Sequence, residues 1–384
     1  MVVFAVFLAV IVLAVVWYKL GQSYALGQTG GSARDLHSRP GYYGTYTALW
    51  CAIPAFAMLA VWLIALARGR QSWTGRNTDL VGLLSLLGTY ALVPAYLAIP
   101  FQESIGSTSF LNAYLDMVSA LTTTGAPLFE PGRLPPVLEL WRAQVGWMGG
   151  LLIWVAAAAV LAPLNLGGFE VTWAAASGGP DSYAERFKRA DVMRRVGRNF
   201  VQLAPIYTIL TAVLSVLLLI NGDAALVAVS HAMSTMSTSG ITPVGGLPNA
   251  ESGIAGEMVI FLFLVFAVSR VSFTTDTSVS RFGLHLDPEL RMGALIVLGV
   301  PLLLFLRHWI AAFEVDAGED VMQGLRAFWG ALFTVMSFLT TAGFESVEWN
   351  SAQIWSGLGT PGIILMGLAI MGGGVATTAG GVKL

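Results

Sequence analysis

Ser119-Ala120-Leu121-Thr122-Thr123-Thr124-Gly125-Ala126-Pro127 returns twice without gaps, as Ser234-Thr235-Met236-Ser237-Thr238-Ser239-Gly240-Ile241-Thr242 and as Ser337-Phe338-Leu339-Thr340-Thr341-Ala342-Gly343-Phe344-Glu345. Each copy closes a short apolar run: Phe110 to Leu121, Ala224 to Met236, and Leu325 to Leu339. Runs of roughly 12–15 residues cannot cross a hydrocarbon core that needs about 20. Each copy is preceded and followed by an apolar segment of spanning length. The pattern predicts one unit written three times: an outer spanning helix, a short re-entrant helix, a Thr/Ser-rich loop ending in glycine, and an inner spanning helix.

Such a unit has a physical use. Irregular backbone at membrane depth is tolerated where it is enclosed by protein or lines a water-filled cavity. A re-entrant helix points its partially negative C-terminus at the membrane interior, which favours a cation there. Glycine adopts positive φ without steric cost, so successive carbonyls of the loop can turn toward one axis. Rings of carbonyls replace the hydration shell of a permeating ion. The expected ion-binding filter is therefore Thr122, Thr123, Thr124 and Gly125 with Ser237, Thr238, Ser239 and Gly240 and with Thr340, Thr341, Ala342 and Gly343.

Composition agrees with an all-α integral membrane protein. The chain is 56% hydrophobic and 11% charged, with a mean hydropathy of +0.72, outside the range of soluble domains. A net charge of −2 leaves no electrostatic footprint for nucleic acid. The single cysteine, Cys51, excludes an internal disulfide and a thiolate metal cluster. The four histidines lack metal-ligand spacing, and no phosphate-cradling Gly-rich loop is present. Neither an enzyme nor a covalently bound cofactor is expected.

In chain order, Met1 to Trp17 is unbroken apolar sequence without a basic start or clear cleavage site, and reads as a retained membrane anchor. Polar and Gly-rich residues 18–44 follow, then a second helix from about Thr45 to Ala67. The stretch with Leu36-His37-Ser38-Arg39-Pro40-Gly41-Tyr42-Tyr43-Gly44, Ala48-Leu49-Trp50 and Ile53-Pro54-Ala55 resembles the N-terminal extension of some phosphate ABC-transporter permeases. This two-helix segment occupies residues 1–78. The first pore repeat takes 79–163, with outer helix Asp79 to Pro100 and inner helix Trp141 to Pro163, whose Gly146, Gly149 and Gly150 permit close packing. A polar loop, 164–199, carries Arg186, Lys188, Arg189, Arg194, Arg195 and Arg198. The positive-inside rule puts it in the cytoplasm and the filter loops outside. The second repeat, 200–292, has outer helix Phe200 to Ile220 and inner helix Gly256 to about Thr275. The third, 293–384, has outer helix Gly293 to Phe313 and inner helix Gly357 to Met371, and is cut in that helix.

Two intramembrane features invite a gating role. The third inner helix dissolves into Gly372-Gly373-Gly374-Val375-Ala376-Thr377-Thr378-Ala379-Gly380-Gly381-Val382-Lys383. That glycine density cannot hold a helix and must line a cavity. Arg270 falls about 14 residues into the second inner helix, roughly 21 Å from its outer end. A charge at that depth favours an inward direction, held by Asp276, from which it would restrain ion flow; snorkelling to the headgroups or a purely structural pairing is the alternative.

The three loops, together with the Gly-Gly-x-x-x-Thr-Thr-Ala-Gly-Gly-Val-Lys run, Trp141-Arg142, Trp147-x-Gly149-Gly150 and Leu166-Gly167-Gly168, resemble the pore subunit of the Trk/Ktr/HKT potassium-transporter superfamily in its bacterial TrkH type. The likeness covers about residues 79–384. It implies K⁺ uptake across the cytoplasmic membrane, K⁺ held at the filter, and four loops in a pseudo-fourfold, potassium-channel-like ring. It also implies a homodimer in membrane lipid and a cytosolic regulatory subunit that carries the regulatory nucleotide. The Gly-rich break becomes the gate beneath the filter, with Gly372, Gly373, Gly374, Thr377, Thr378, Gly380, Gly381 and Lys383 as its residues. Glycine in all three loops implies a preference for K⁺ over Na⁺. The family pattern has a fourth repeat, and three loops do not close a ring built for four. The expectation is a fragment, a split product with the fourth repeat on another chain, or a subunit that does not conduct alone. Two alternatives stay open beside the cation pore: a membrane subunit of a phosphate ABC permease, and a non-conducting remnant.

Overall fold

The computed structural model describes residues 18–19, 22, 78–130, 132–161, 192–268, 288–312, 321–357, 359–375 and 377–383. Arg270, Asp276, residues 164–191 of the polar loop and most of the N-terminal segment lie outside these residues. Among the described residues all regular structure is helical.

Two compact units make up the chain, one of residues 1–115 and 190–201, the other of residues 116–189 and 202–384. In the first, helix α1 (Thr78–Ile105) carries Pro94 and Pro100 in its interior. Each proline removes a ladder hydrogen bond. Ser104 Oγ–H donates to the Pro100 carbonyl at 2.7 Å, and Thr89 Oγ1–H to the Ser85 carbonyl at 2.8 Å. The Tyr114 hydroxyl, at the start of helix α2 (Phe110–Leu121), donates to the Ala91 carbonyl at 3.2 Å and fastens the re-entrant helix to α1.

The second unit holds all three loops. Its helices are α3 (Pro136–Ala156, continued by a π turn to Leu161), α4 (Val192–Ile220), α5 (Ala225–Ser237), α6 (Gly253–Leu264), α7 (Pro288–Ala312), α8 (Val321–Leu339), α9 (Trp349–Ser356) and α10 (Gly362–Met371), apart from the first turns of α4. Among the described residues, four stretches are long and apolar enough to cross a membrane: 82–105, 136–161, 195–220 and 289–306. The 136–161 span is 61% buried, whereas each of the others is 28% buried. Burial thus sets α3 apart from α1, α4 and α7, which expose Leu87, Ile209, Leu295 and Leu303. Apolar surface exposed along a helix of spanning length is a lipid-facing surface.

Several boundaries differ from those read in the sequence. The second inner helix is described from Gly253, and its last turn, Val265–Ala267, tightens to 3₁₀. The third inner helix is shorter than expected, because α9 intervenes after the third loop. Gly357 ends α9 in the left-handed conformation (φ +60°), and Pro361 stands at the N-cap of α10. A glycine C-cap followed by proline ends one helix and starts another.

The glycines of α3 position two loops. A methyl at Gly149 would strike the Leu121 carbonyl, where α2 ends. One at Gly150 would lie 2.7 Å from Ser237 Cβ and 2.7 Å from the Tyr207 hydroxyl. Trp147 Nε1–H donates to Thr211 Oγ1 at 2.9 Å, and the Tyr207 hydroxyl to the Trp147 carbonyl at 3.1 Å. With no side chain on that face, α3 sits directly against the ends of α2 and α5.

Candidate ion pathway

The three loops share one backbone. Each re-entrant helix ends with a β-branched residue in the left-handed region: Thr123 (φ 56°), Thr238 (φ 51°) and Thr341 (φ 58°). Two residues on, glycine is left-handed again: Gly125 (φ 65°), Gly240 (φ 66°) and Gly343 (φ 73°). A non-glycine residue in this region costs about 1–2 kcal/mol. Strain repeated at three equivalent positions, with surrounding structure holding it, is a mark of function rather than accident.

Serine carbonyls hold the strain. The N–H groups of Thr124 and Gly125 both donate to the Ser119 carbonyl, at 2.9 and 3.1 Å. Ser239 N–H donates to the Ser234 carbonyl at 3.0 Å. The N–H groups of Ala342 and Gly343 donate to the Ser337 carbonyl at 2.8 and 3.3 Å. In a trans, planar peptide the C=O points opposite to the N–H of the next residue. Turning these amides back onto the helix end therefore turns the carbonyls of Thr123, Thr124, Thr238, Thr341 and Ala342 away from it. These five oxygens are the candidate ligands for a cation.

The loops also touch in sequence order. A Cβ added at Gly125 would run into the carbonyl oxygen of Ser239, and one added at Gly240 into that of Ala342. A Cβ at Gly343 would meet nothing within 4 Å. Burial repeats the pattern: Ser237, Thr238 and Ser239 of the middle loop are enclosed, whereas Thr122, Thr124 and Gly343 are exposed. Loop two is flanked on both sides, while loops one and three each have an open side.

Polar side chains behind the loops differ between repeats while their positions match. Asp116, His231 and Thr334 each lie nine residues before their loop glycine. Asp116 pairs with Arg142 of α3 (Oδ2 to Nε, 3.0 Å), and Arg142 Nη1 also donates to Glu139 Oε2 at 3.2 Å. His231 Nε2 shares a 2.9 Å hydrogen bond with Thr242 Oγ1, just past loop two, and its ring lies edge-on to Phe344 of loop three. Thr334 Oγ1 accepts from the Ser346 N–H at 3.3 Å. These groups were not among the expected site residues. Charged residues inside apolar helices were the signal for Asp116, Glu139 and Arg142, and identity in all three copies was the signal for Ser119, Ser234 and Ser337.

The Gly-rich segment begins where expected, with α10 ending at Gly372 (φ 78°). It folds back on itself: Val382 N–H donates to the Ile370 carbonyl and Lys383 N–H to the Met371 carbonyl, both at 2.8 Å. Gly374 N–H reaches the Ala267 carbonyl at 3.2 Å, joining the segment to the end of α6. A Cβ at Gly373 would also strike Ala267, and one at Gly381 would strike Gly372. Gly380 N–H donates to Thr341 Oγ1 at 2.7 Å, tying the segment to loop three. Thr377 Oγ1–H closes a turn onto the Gly374 carbonyl at 2.7 Å, and Lys383 Nζ donates to the Ala379 carbonyl. Thr377 and Thr378 line a cavity of about 20 Å³ with Thr235, Met236 and Tyr207, room for about one water.

Apolar helices of spanning length define an all-helical, multi-pass membrane protein. The chain is a distant homologue of Trk system potassium uptake proteins. It is 27% identical to TrkH of Halomonas elongata over 82% of this chain and 61% of that protein. It is 27% identical to TrkH of Salmonella typhimurium over 85% of this chain and 66% of that protein. The chain thus spans less than two thirds of the length of these curated relatives. Its fold is similar to the crystal structure of the potassium transporter TrkH from Vibrio parahaemolyticus, with a TM-score of 0.61 at 20% identity over 96% of this chain and 72% of that one. Residues 7–73 match a family described as phosphate ATP-binding cassette transporter, in line with the resemblance read in that segment.

Proposed function

We propose that this chain forms part of a K⁺-uptake pathway in the bacterial cytoplasmic membrane, with the three Thr/Ser-Gly loops as its selectivity filter. The observation that carries the reading is the common loop backbone, in which amides turned onto Ser119, Ser234 and Ser337 leave carbonyls free to replace water around an ion. The pathway is pseudo-fourfold, and a fourth loop occupies the sector between Gly343 and the exposed Thr122–Thr124 face. That loop comes from a further repeat, on this polypeptide or on another chain. The assembly works as a homodimer with a cytosolic nucleotide-binding regulatory subunit, and K⁺ is its cargo. Reconstituted into liposomes with its partners, the protein is expected to take up Rb⁺ in preference to Na⁺. Equal fluxes of the two ions would reject the reading.

The Gly-rich segment acts as the gate. Its bond from Gly380 to Thr341 places it against loop three, and mobility of the segment requires that bond to break. A neutral hydrogen bond contributes about 1 kcal/mol net. Thr341→Val removes the acceptor and is expected to raise basal Rb⁺ flux about fivefold. Thr341→Ser keeps the hydroxyl and leaves flux near that of the unmodified protein. If the valine variant is less active than the serine one, the contact supports the filter rather than closing it. Arg270, which restrains flow in this reading, is tested beside it: Arg270→Ala raises flux and Arg270→Lys does not.

For residues 7–73 a second reading has its own support in the phosphate-transporter match. Phosphate uptake that depends on this segment would favour a permease subunit; its absence, with Rb⁺ uptake retained on deletion, would assign the segment to anchoring.

A further inference from the structure

Glu257 lies in α6, seventeen residues after Gly240, the position that Arg142 holds after Gly125. The two residues face different ways. Arg142 turns back to Asp116 in the re-entrant helix of its own repeat. Glu257 reaches forward into the next repeat. Its Oε2 accepts from Ser346 Oγ–H at 2.8 Å and from Trp329 Nε1–H at 2.9 Å, and its Oε1 accepts from the backbone N–H of Val347. Trp329 belongs to α8, the re-entrant helix of repeat three, and Ser346 and Val347 follow directly after loop three. The carboxylate is 1% exposed.

Three donors converging on one buried carboxylate form a strong clamp, since hydrogen bonds to an ionised acceptor are roughly twice as strong as neutral ones. What it clamps is the far end of the third loop. On the near side, the carbonyls of Thr341 and Ala342 are aimed by the two bonds to Ser337. On the far side, Phe344 N–H donates to Ser337 Oγ at 2.7 Å, and the chain then runs to Ser346 and Val347 on Glu257. Ser346 relays the hold, donating its N–H to Thr334 Oγ1 and accepting from Glu348 N–H at 3.1 Å. A Cβ added at Gly343 would meet nothing within 4 Å among the described residues.

We infer that Glu257 is a positioning residue for ion selectivity: a side chain of repeat two that fixes the third filter loop across the repeat boundary. This rests on the ion-pathway reading above. A glutamine at 257 keeps the size but replaces one acceptor by an NH₂ group, setting donor against donor at Ser346, Trp329 or Val347.

The test compares Rb⁺ with Na⁺ in the unmodified protein, Glu257→Gln, Glu257→Asp and Ser346→Ala. Two readouts are taken: liposome flux, and thermal stabilisation by each ion, which reports binding without conduction. The Rb⁺/Na⁺ ratio does not depend on how much protein is folded, so a merely structural role would leave it unchanged. Glu257→Gln is expected to lower the ratio about tenfold, as loss of a charge-assisted bond implies. Ser346→Ala, which removes one donor of three, is expected to lower it about threefold. If Glu257→Gln does not fold, the ratios of Glu257→Asp and Ser346→Ala decide the matter in the same way. A selective unmodified protein with unchanged variants overturns the role of Glu257 and leaves the pathway standing. An unmodified protein that prefers neither ion in either readout overturns the pathway and this inference together.

Discussion

Alanine at Gly125 is expected to cut Rb⁺ flux at least about tenfold, and alanine at Gly240 the same; tenfold corresponds to about 1.4 kcal/mol in the barrier. All three glycines have positive φ, so each substitution carries the same strain of about 1–2 kcal/mol. What differs is the neighbour. The new methyl at Gly125 collides with the Ser239 carbonyl oxygen, and that at Gly240 with the Ala342 oxygen. Both obstacles are backbone and cannot swing aside like a flexible side chain. Relief at Gly240 requires moving the Ala342 carbonyl, one of the five read as ion ligands, and relief at Gly125 moves the Ser239 carbonyl, which follows Thr238 in loop two. At Gly343 the described residues leave room for the methyl, on the side that the proposed fourth loop occupies. Parallel flux measurements on the two variants check the expectation. If neither variant loses flux, the loops do not share a rim in the sequence 1–2–3. Serine at Gly125 meets the same collision, so any Na⁺ permeation it introduces comes with a displaced Ser239 carbonyl.

Loss of the Arg142 guanidinium is expected to have the largest effect on stability. Arg142→Met leaves Asp116 and Glu139 facing one another without the cation between them. The Arg142 and Asp116 side chains are 6% and 1% exposed. Breaking a buried ion pair on one side typically costs about 3–5 kcal/mol, because the remaining charge is stranded away from water. Replacing all three members by apolar residues of similar volume removes that penalty, and Arg142→Met combined with Asp116→Leu and Glu139→Leu is expected to recover most of the lost stability. Unfolding in detergent, followed by tryptophan fluorescence, measures both. A single variant as stable as the triple one would mean that the carboxylates find other partners. Because Asp116 sits nine residues before Gly125, the single variant also displaces loop one, and its flux is expected to fall along with its stability.

The sequence by itself determined the repeating plan. Apolar runs too short to span, the thrice-written Ser-x-x-Thr/Ser-Thr-x-Gly, and spanning segments on either side are local patterns set by residues close in the chain. The first re-entrant helix, Phe110 to Leu121, matches its expected limits to the residue, and the end of α10 at Gly372 follows from glycine's poor helix propensity. Tertiary structure decided what local pattern cannot carry. Positive φ was expected at glycine and was found at Thr123, Thr238 and Thr341 as well, because a conformation that threonine avoids alone is imposed by amides turned back onto one serine carbonyl, two of them in loops one and three and one in loop two. Glycine at 357 read as the start of a helix and proved to end one, since α9 packs against α8 before the chain turns into α10. Equivalent positions, Arg142 and Glu257, chose opposite directions. A buried charge must find its donors or counter-charge wherever the fold places them, and those of Glu257 lie 72, 89 and 90 residues along the chain.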